Sequence, residues 1–174
     1  MKLINKTKVP NEVLENLLVS AGRSVGARTS GVVVRVCYGQ PLSPVHGRAT
    51  ECYKVRWSGR WQLTDGGGFK MTLPTLRTKK WLGITTYDPT NVAQEFYKIA
   101  QHEWGHIKDF QNGGRRTMEF SSGRRRPSHD TRPEEVRAEN YVYEAEEKFG
   151  KERGYNEIMA LAIELEKIQN TINL

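Results

Sequence analysis

An α+β fold is what this sequence predicts, and three observations predict it. Apolar residues recur at helical spacing in four separate stretches, a middle region switches to strand-type composition, and turn residues punctuate the changes. The expected order is an N-terminal helix, a small antiparallel sheet, two long helices and a C-terminal helix. With 174 residues the chain is read as one domain, residues 1–174, able to bury a core without disulfide staples.

The first helix is expected over 10–22, where Val13, Leu14, Leu17 and Leu18 share a face, Pro10 is a start signal and Gly22 a stop. From Thr29 to Thr86 the pattern is of β type. GVVVRVCY, TECYKVRW, GFKMTLP and WLGITTY predict three or four short antiparallel strands, separated by PLSPVHG, SGRWQLTDGGG and TLRTKK. A long helix over about 91–111 is opened by the capping candidates Asp88, Thr90 and Asn91 and closed by Asn112-Gly113-Gly114. An Arg- and Gly-rich segment, 112–131, is expected to be a mobile basic loop. Pro133, suited to a first helical position, opens a second long helix through RPEEVRAENYVYEAEEKFG, and YNEIMALAIELEKIQN forms the last.

Composition narrows the function. The N-terminal segment MKLINKTKVPNE has basic residues but no apolar run, and no stretch is long and apolar enough to span a membrane, so a soluble, cytoplasmic protein is expected. Cys37 and Cys52 form no CxxC pair and are read as reduced, buried thiols, with a cross-strand disulfide as the lesser alternative. The formal charge of +7 is concentrated in residues 1–126, while 127–174 are net acidic. Arg77, Lys79 and Lys80, and Arg115, Arg116, Arg124, Arg125 and Arg126, can attract nucleic acid or an acidic protein. No RNP, zinc-knuckle or helix-turn-helix pattern accompanies them, so a solvated face, with weak and nonspecific nucleic-acid binding at most, is preferred.

The chemistry is concentrated in QHEWGHIKDF, residues 101–110. At 100° per residue Val92, Phe96, Ile99, Ala100, Ile107 and Phe110 form an apolar stripe, and Glu103 falls in the middle of it. A carboxylate facing a core is costly unless something pairs with it. His102 and His106 flank the stripe one turn apart, where two imidazoles can converge on a metal. This is the H-E-x-x-H arrangement, in which histidines at i and i+4 hold zinc and the glutamate deprotonates a metal-activated water.

A catalytic zinc site needs a third protein ligand and an open position. In the next helix the apolar face runs through Ala138, Tyr141, Val142, Ala145 and Phe149, with Glu134 and Glu135 at its N-terminal edge and Glu139 turned further away. Glu135 lies three residues before the small Ala138, which lets this helix pack closely on the motif helix. Glu134 is read as complementing the helix macrodipole. Glu134 and Glu139 remain alternative third ligands.

With HEWGH and PEEVRAENYVYEA both in place, the chain resembles the gluzincin clan of zinc metallopeptidases over about residues 91–149. It is most similar to small thermolysin-like relatives and to bacterial zinc peptidases with an E-x-x-A-N-x-F-A helix. Here Glu135 to Tyr141 read E-x-x-A-E-N-Y, with Asn140 one place late and Tyr141 standing for the aromatic. The resemblance implies a zincin-like fold, one Zn²⁺, Glu103 as general base and a peptide or protein substrate along an edge strand. It also implies that Glu139 orients a zinc histidine, a role for which Asp109 is the alternative.

An oxyanion stabiliser is expected among His129, Tyr141 and Tyr143, with a capping-loop role for His129 as its alternative. Gly105, which costs a helix about 1 kcal/mol relative to alanine, is expected to admit a strand or substrate chain near the metal. Trp104 is assigned to the core and His46 to a surface loop. The competing expectation is a zinc-stabilised, non-catalytic binding module that docks nucleic acid or an acidic protein through the basic face.

Overall fold

The computed structural model describes residues 1–41, 46–50, 53–57, 60–64, 67–75, 88–113, 132–150 and 153–172. Its elements are β1 (Lys2–Lys6), α1 (Asn11–Ser24), β2 (Val33–Pro41), β3 (His46–Thr50), β4 (Tyr53–Trp57), β5 (Arg60–Thr64), β6 (Gly68–Thr75), α2 (Pro89–Gln111), α3 (Pro133–Phe149) and α4 (Tyr155–Ile172). The α+β class and all four expected helices are present. The strand expected at WLGITTY lies outside the described residues, as do Cys52, the Arg77–Lys80 patch and residues 114–131.

The sheet differs from the expected antiparallel one. Its strand order is β1-β2-β6-β3. β1, β2 and β6 run parallel, with Leu3 opposite Val34 and Val34 opposite Phe69. Only β3 is antiparallel to its neighbour, pairing His46 with Thr72 and Gly47 with Met71. The physical reason is α1. Parallel neighbours need a crossover of a dozen or more residues, and α1 provides it between β1 and β2. Val32, Val34 and Val36 are buried in the core, while the other face of the strand is mixed, with Val33 buried and Arg35 exposed. β4 and β5 form a separate hairpin. His46, expected in a loop, belongs to β3.

Local chemistry explains the helix ends. α1 continues past Gly22 to Ser24, and the left-handed Gly26, φ +76°, lies just beyond it. Gly22 instead makes room for Trp104, whose Cε2 would stand 2.9 Å from an added Cβ. α2 begins with Pro89, and the Asp88 side chain accepts from the Thr90 N–H at 2.9 Å. α3 begins with Pro133 and ends at Gly150.

Trp104 is fully buried at the middle of the core, as expected. Its ring meets Phe69 of β6 edge to face, with centroids 5.1 Å apart. Leu14, Leu17 and Leu18 of α1, Phe96 and Ile107 of α2 and Leu161 and Leu165 of α4 close around it. At the α1–α2 contact Gln101 Nε2 donates to Ser24 Oγ at 2.8 Å. These contacts fix α2 in rotation, so that one flank faces β3 and another faces α3. No described helix is long and apolar enough to cross a membrane. Cys37 is a free, half-buried thiol.

Candidate metal centre

His102 and His106 project from the same flank of α2, one turn apart. Their rings stand at 90°, with centroids 4.7 Å apart. From the first turn of α3, Glu135 brings Oε2 to 3.2 Å from His102 Nε2 and 3.1 Å from His106 Nε2. One ligand atom from each residue lies within 4.8 Å of the others, a group that can hold a metal ion. Ligands about 2.0–2.1 Å from a tetrahedral zinc stand roughly 3.3 Å apart, close to the two separations to Glu135. Glu134, although buried, is outside this group.

The donor set fits a cation on chemical grounds. Glu139 Oε2 lies 3.1 Å from His102 Nδ1, and an ionised carboxylate only accepts, so the ring hydrogen belongs on Nδ1. A neutral imidazole in that tautomer has a lone pair on Nε2, facing a carboxylate oxygen of Glu135. Two facing electron pairs repel unless a proton or metal cation lies between them. Glu139 therefore occupies the orienting place expected of it, at the half-exposed end of the cluster. His106 and Glu135 are buried while His102 is partly open, so solvent reaches the group from the His102 side.

Glu103 is 5% exposed and faces β3. A Cβ built on Gly47 would overlap Glu103 Cγ, Cδ and Oε1, so the carboxylate lies directly against the strand backbone. β3 ends the sheet among the described residues. α2 and α3 thus bring two imidazoles together with the carboxylates of Glu135 and Glu139, and α2 separately lays the Glu103 carboxylate on β3.

Several expectations change here. Gly105 admits neither strand nor substrate but the backbone of α3: an added Cβ would stand 2.7 Å from the Ala138 carbonyl oxygen and 3.0 Å from its Cα. Strand approach occurs at Gly47 instead. Asp109 does not orient a histidine, because Arg137 grips it with two hydrogen bonds, Nε to Oδ1 at 2.8 Å and Nη2 to Oδ2 at 2.9 Å. Tyr141 lies under the Lys108 ammonium, 3.8 Å from the ring centroid. Tyr143 is 61% exposed, and His129 lies outside the described residues.

Comparison with protein-family models, with curated proteins and with solved structures finds no match for this chain. The metal-centre reading therefore rests on the residues themselves. Gly47 and Arg137 are the contributors that sequence reasoning missed. A glycine within a strand is a known sign of close approach, but VHG reads equally well as a turn. Nothing in the sequence pairs Arg137 with Asp109.

Proposed function

We propose that the chain is a zinc-dependent metallopeptidase of gluzincin type, with His102, His106 and Glu135 as the metal ligands and Glu103 as general base. The observation that carries this reading is the burial of the Glu103 carboxylate, next in sequence to His102 on the same helix, against Gly47 of β3. A structural zinc site fills its four positions with protein ligands and needs no further carboxylate beside them. Zn²⁺ in this group would act as a Lewis acid, acidifying a water and polarising a carbonyl.

The chain's own residues would then act as follows. Glu139 fixes the His102 ring and its tautomer, while Glu135 supplies one negative charge, leaving the centre net positive. Glu103 takes the proton of the attacking water and passes it to the departing amine. Among the described residues β3 is an edge strand, whose outer backbone N–H and C=O groups would let an extended peptide add to the sheet beside Glu103. A peptide substrate suits this arrangement because its scissile carbonyl and its strand-forming backbone are presented together.

The test uses zinc-loaded protein and a mixture of unstructured peptides, with newly formed amino termini read by mass spectrometry. Cleavage by the wild type is expected, with loss of about a hundredfold or more in Glu103→Gln at unchanged zinc content. Equal cleavage by Glu103→Gln would remove Glu103 from the reaction. A wild type that holds one zinc but cuts nothing would favour the non-catalytic binding module.

A further inference from the structure

The carboxylate of Glu135 can meet two imidazoles only if α3 is held at one rotation on α2. The Gly105–Ala138 contact sets how closely the helices approach. A contact between a glycine and an alanine is smooth, however, and does not by itself set the rotation of the first turns of α3; Val142 and Ala145 are held in the core further along the helix. Glu139 restrains one flank through His102, but it is about half exposed and makes a single hydrogen bond. Arg137 is two residues beyond Glu135, about 200° around α3, so it engages α2 from the opposite flank.

There it meets Asp109, whose side chain is 5% exposed. The two parallel hydrogen bonds of the fork are planar, and planarity defines direction as well as distance. If α3 turned, the fork would break and the buried Asp109 carboxylate would lose the two hydrogen bonds that compensate its burial.

We propose that Asp109 and Arg137 are a positioning pair that sets the rotation of α3 on α2, and thereby places Glu135 opposite His102 and His106. This rests on reading that trio as a metal centre. Neither residue touches the metal or a substrate. Their action is through the ligand that α3 carries.

The experiment measures zinc affinity by competition with a chromophoric chelator, and thermal unfolding of the metal-free protein, for three proteins. They are the wild type, Arg137→Lys and the double variant Asp109→Leu/Arg137→Met. Lysine keeps the charge but cannot form the fork, so zinc affinity should fall about tenfold, with little change in metal-free Tm. The double variant leaves no orphaned charge, so it should stay folded while its zinc affinity falls by about tenfold to a hundredfold. A pair that merely braces the fold would lower Tm and leave zinc affinity in the folded protein untouched. That result in both variants overturns the proposal. Should the double variant fail to fold, Arg137→Lys decides alone. A wild type that binds no zinc would instead sink the metal-centre reading itself.

Discussion

Glu103 and Gly47 are a pair in which one residue is meaningful because the other has no side chain. The local geometry makes Gly47→Ala a clean substitution. Gly47 does not occupy the left-handed region that would strain an alanine, and the three atoms nearest the new Cβ all belong to the Glu103 side chain. The expected outcome is a protein with wild-type zinc content and a Tm within a few degrees, whose Glu103 carboxylate has moved off the strand. Peptide cleavage should fall by about tenfold or more, because a general base works only within hydrogen-bond reach of its proton. A crystal structure of zinc-loaded Gly47→Ala checks the displacement directly, and a carboxylate left in place would contradict it. In the ligand trio, Glu135→Ala should lose zinc affinity far more than Glu134→Ala. Glu139→Ala should lose about tenfold to a hundredfold, as partners of ligating histidines typically do. Competitive zinc titration of the three variants ranks them. At this scale the sequence was most informative about His102, Glu103, His106 and Glu135. Helical periodicity places the first three, because i, i+4 spacing and the apolar stripe are local properties, whereas the choice of Glu135 over Glu134 and Glu139 also leaned on the family resemblance. The contacts of Asp109 and Gly105 were not legible because they depend on which residue of another element faces them.

Between elements, the contact that matters most is the crossing of α2 and α3 at Gly105 and Ala138. Gly105→Ala sets two effects against each other. Alanine gains about 1 kcal/mol of intrinsic helix propensity over glycine. Its Cβ, however, would stand 2.7 Å from a backbone carbonyl oxygen, which cannot turn aside as a side chain can. Overpacking typically costs about 1–3 kcal/mol, so a net loss of stability is expected. Zinc affinity should fall with it, since α3 must withdraw and Glu135 with it. Thermal unfolding and zinc titration of this variant test the crossing, and a higher Tm at unchanged affinity would mean that the helices do not meet so closely. The helices themselves were legible from period, caps and prolines. The sheet was not. β1 is a five-residue strand of mixed polarity, and its parallel pairing to β2 is a consequence of the α1 crossover. The run of valines at 32–34 is compatible with a parallel strand, yet turn residues between neighbouring strands pointed to hairpins.

Across the whole molecule, the question is how far the fold depends on the metal. The core around Trp104 and Phe69 joins the sheet to all four helices, α3 contributing Val142 and Ala145, and none of those residues is a histidine. Metal removal is therefore expected to loosen the first turn of α3, which carries Glu135, while leaving the rest folded, unlike a small zinc finger whose folding energy is the binding energy. Far-UV circular dichroism should change little on chelation. The unfolding temperature should change more. Free zinc at about a hundred times its dissociation constant stabilises the native state by about 2.7 kcal/mol. In a chain of this length each kcal/mol moves Tm by about 2–4 °C, which predicts a rise of roughly 5–11 °C on zinc addition and its reversal by chelator. His106→Ala removes a buried ligand and should abolish the rise, whereas Glu103→Gln should keep it because Glu103 is outside the ligand trio. Scanning calorimetry on the three proteins, with and without zinc, gives the comparison. Loss of the zinc-induced rise in Glu103→Gln would make Glu103 a ligand rather than a base. Loss of helical signal on chelation would mean that α3, and not the apolar core, holds the molecule together.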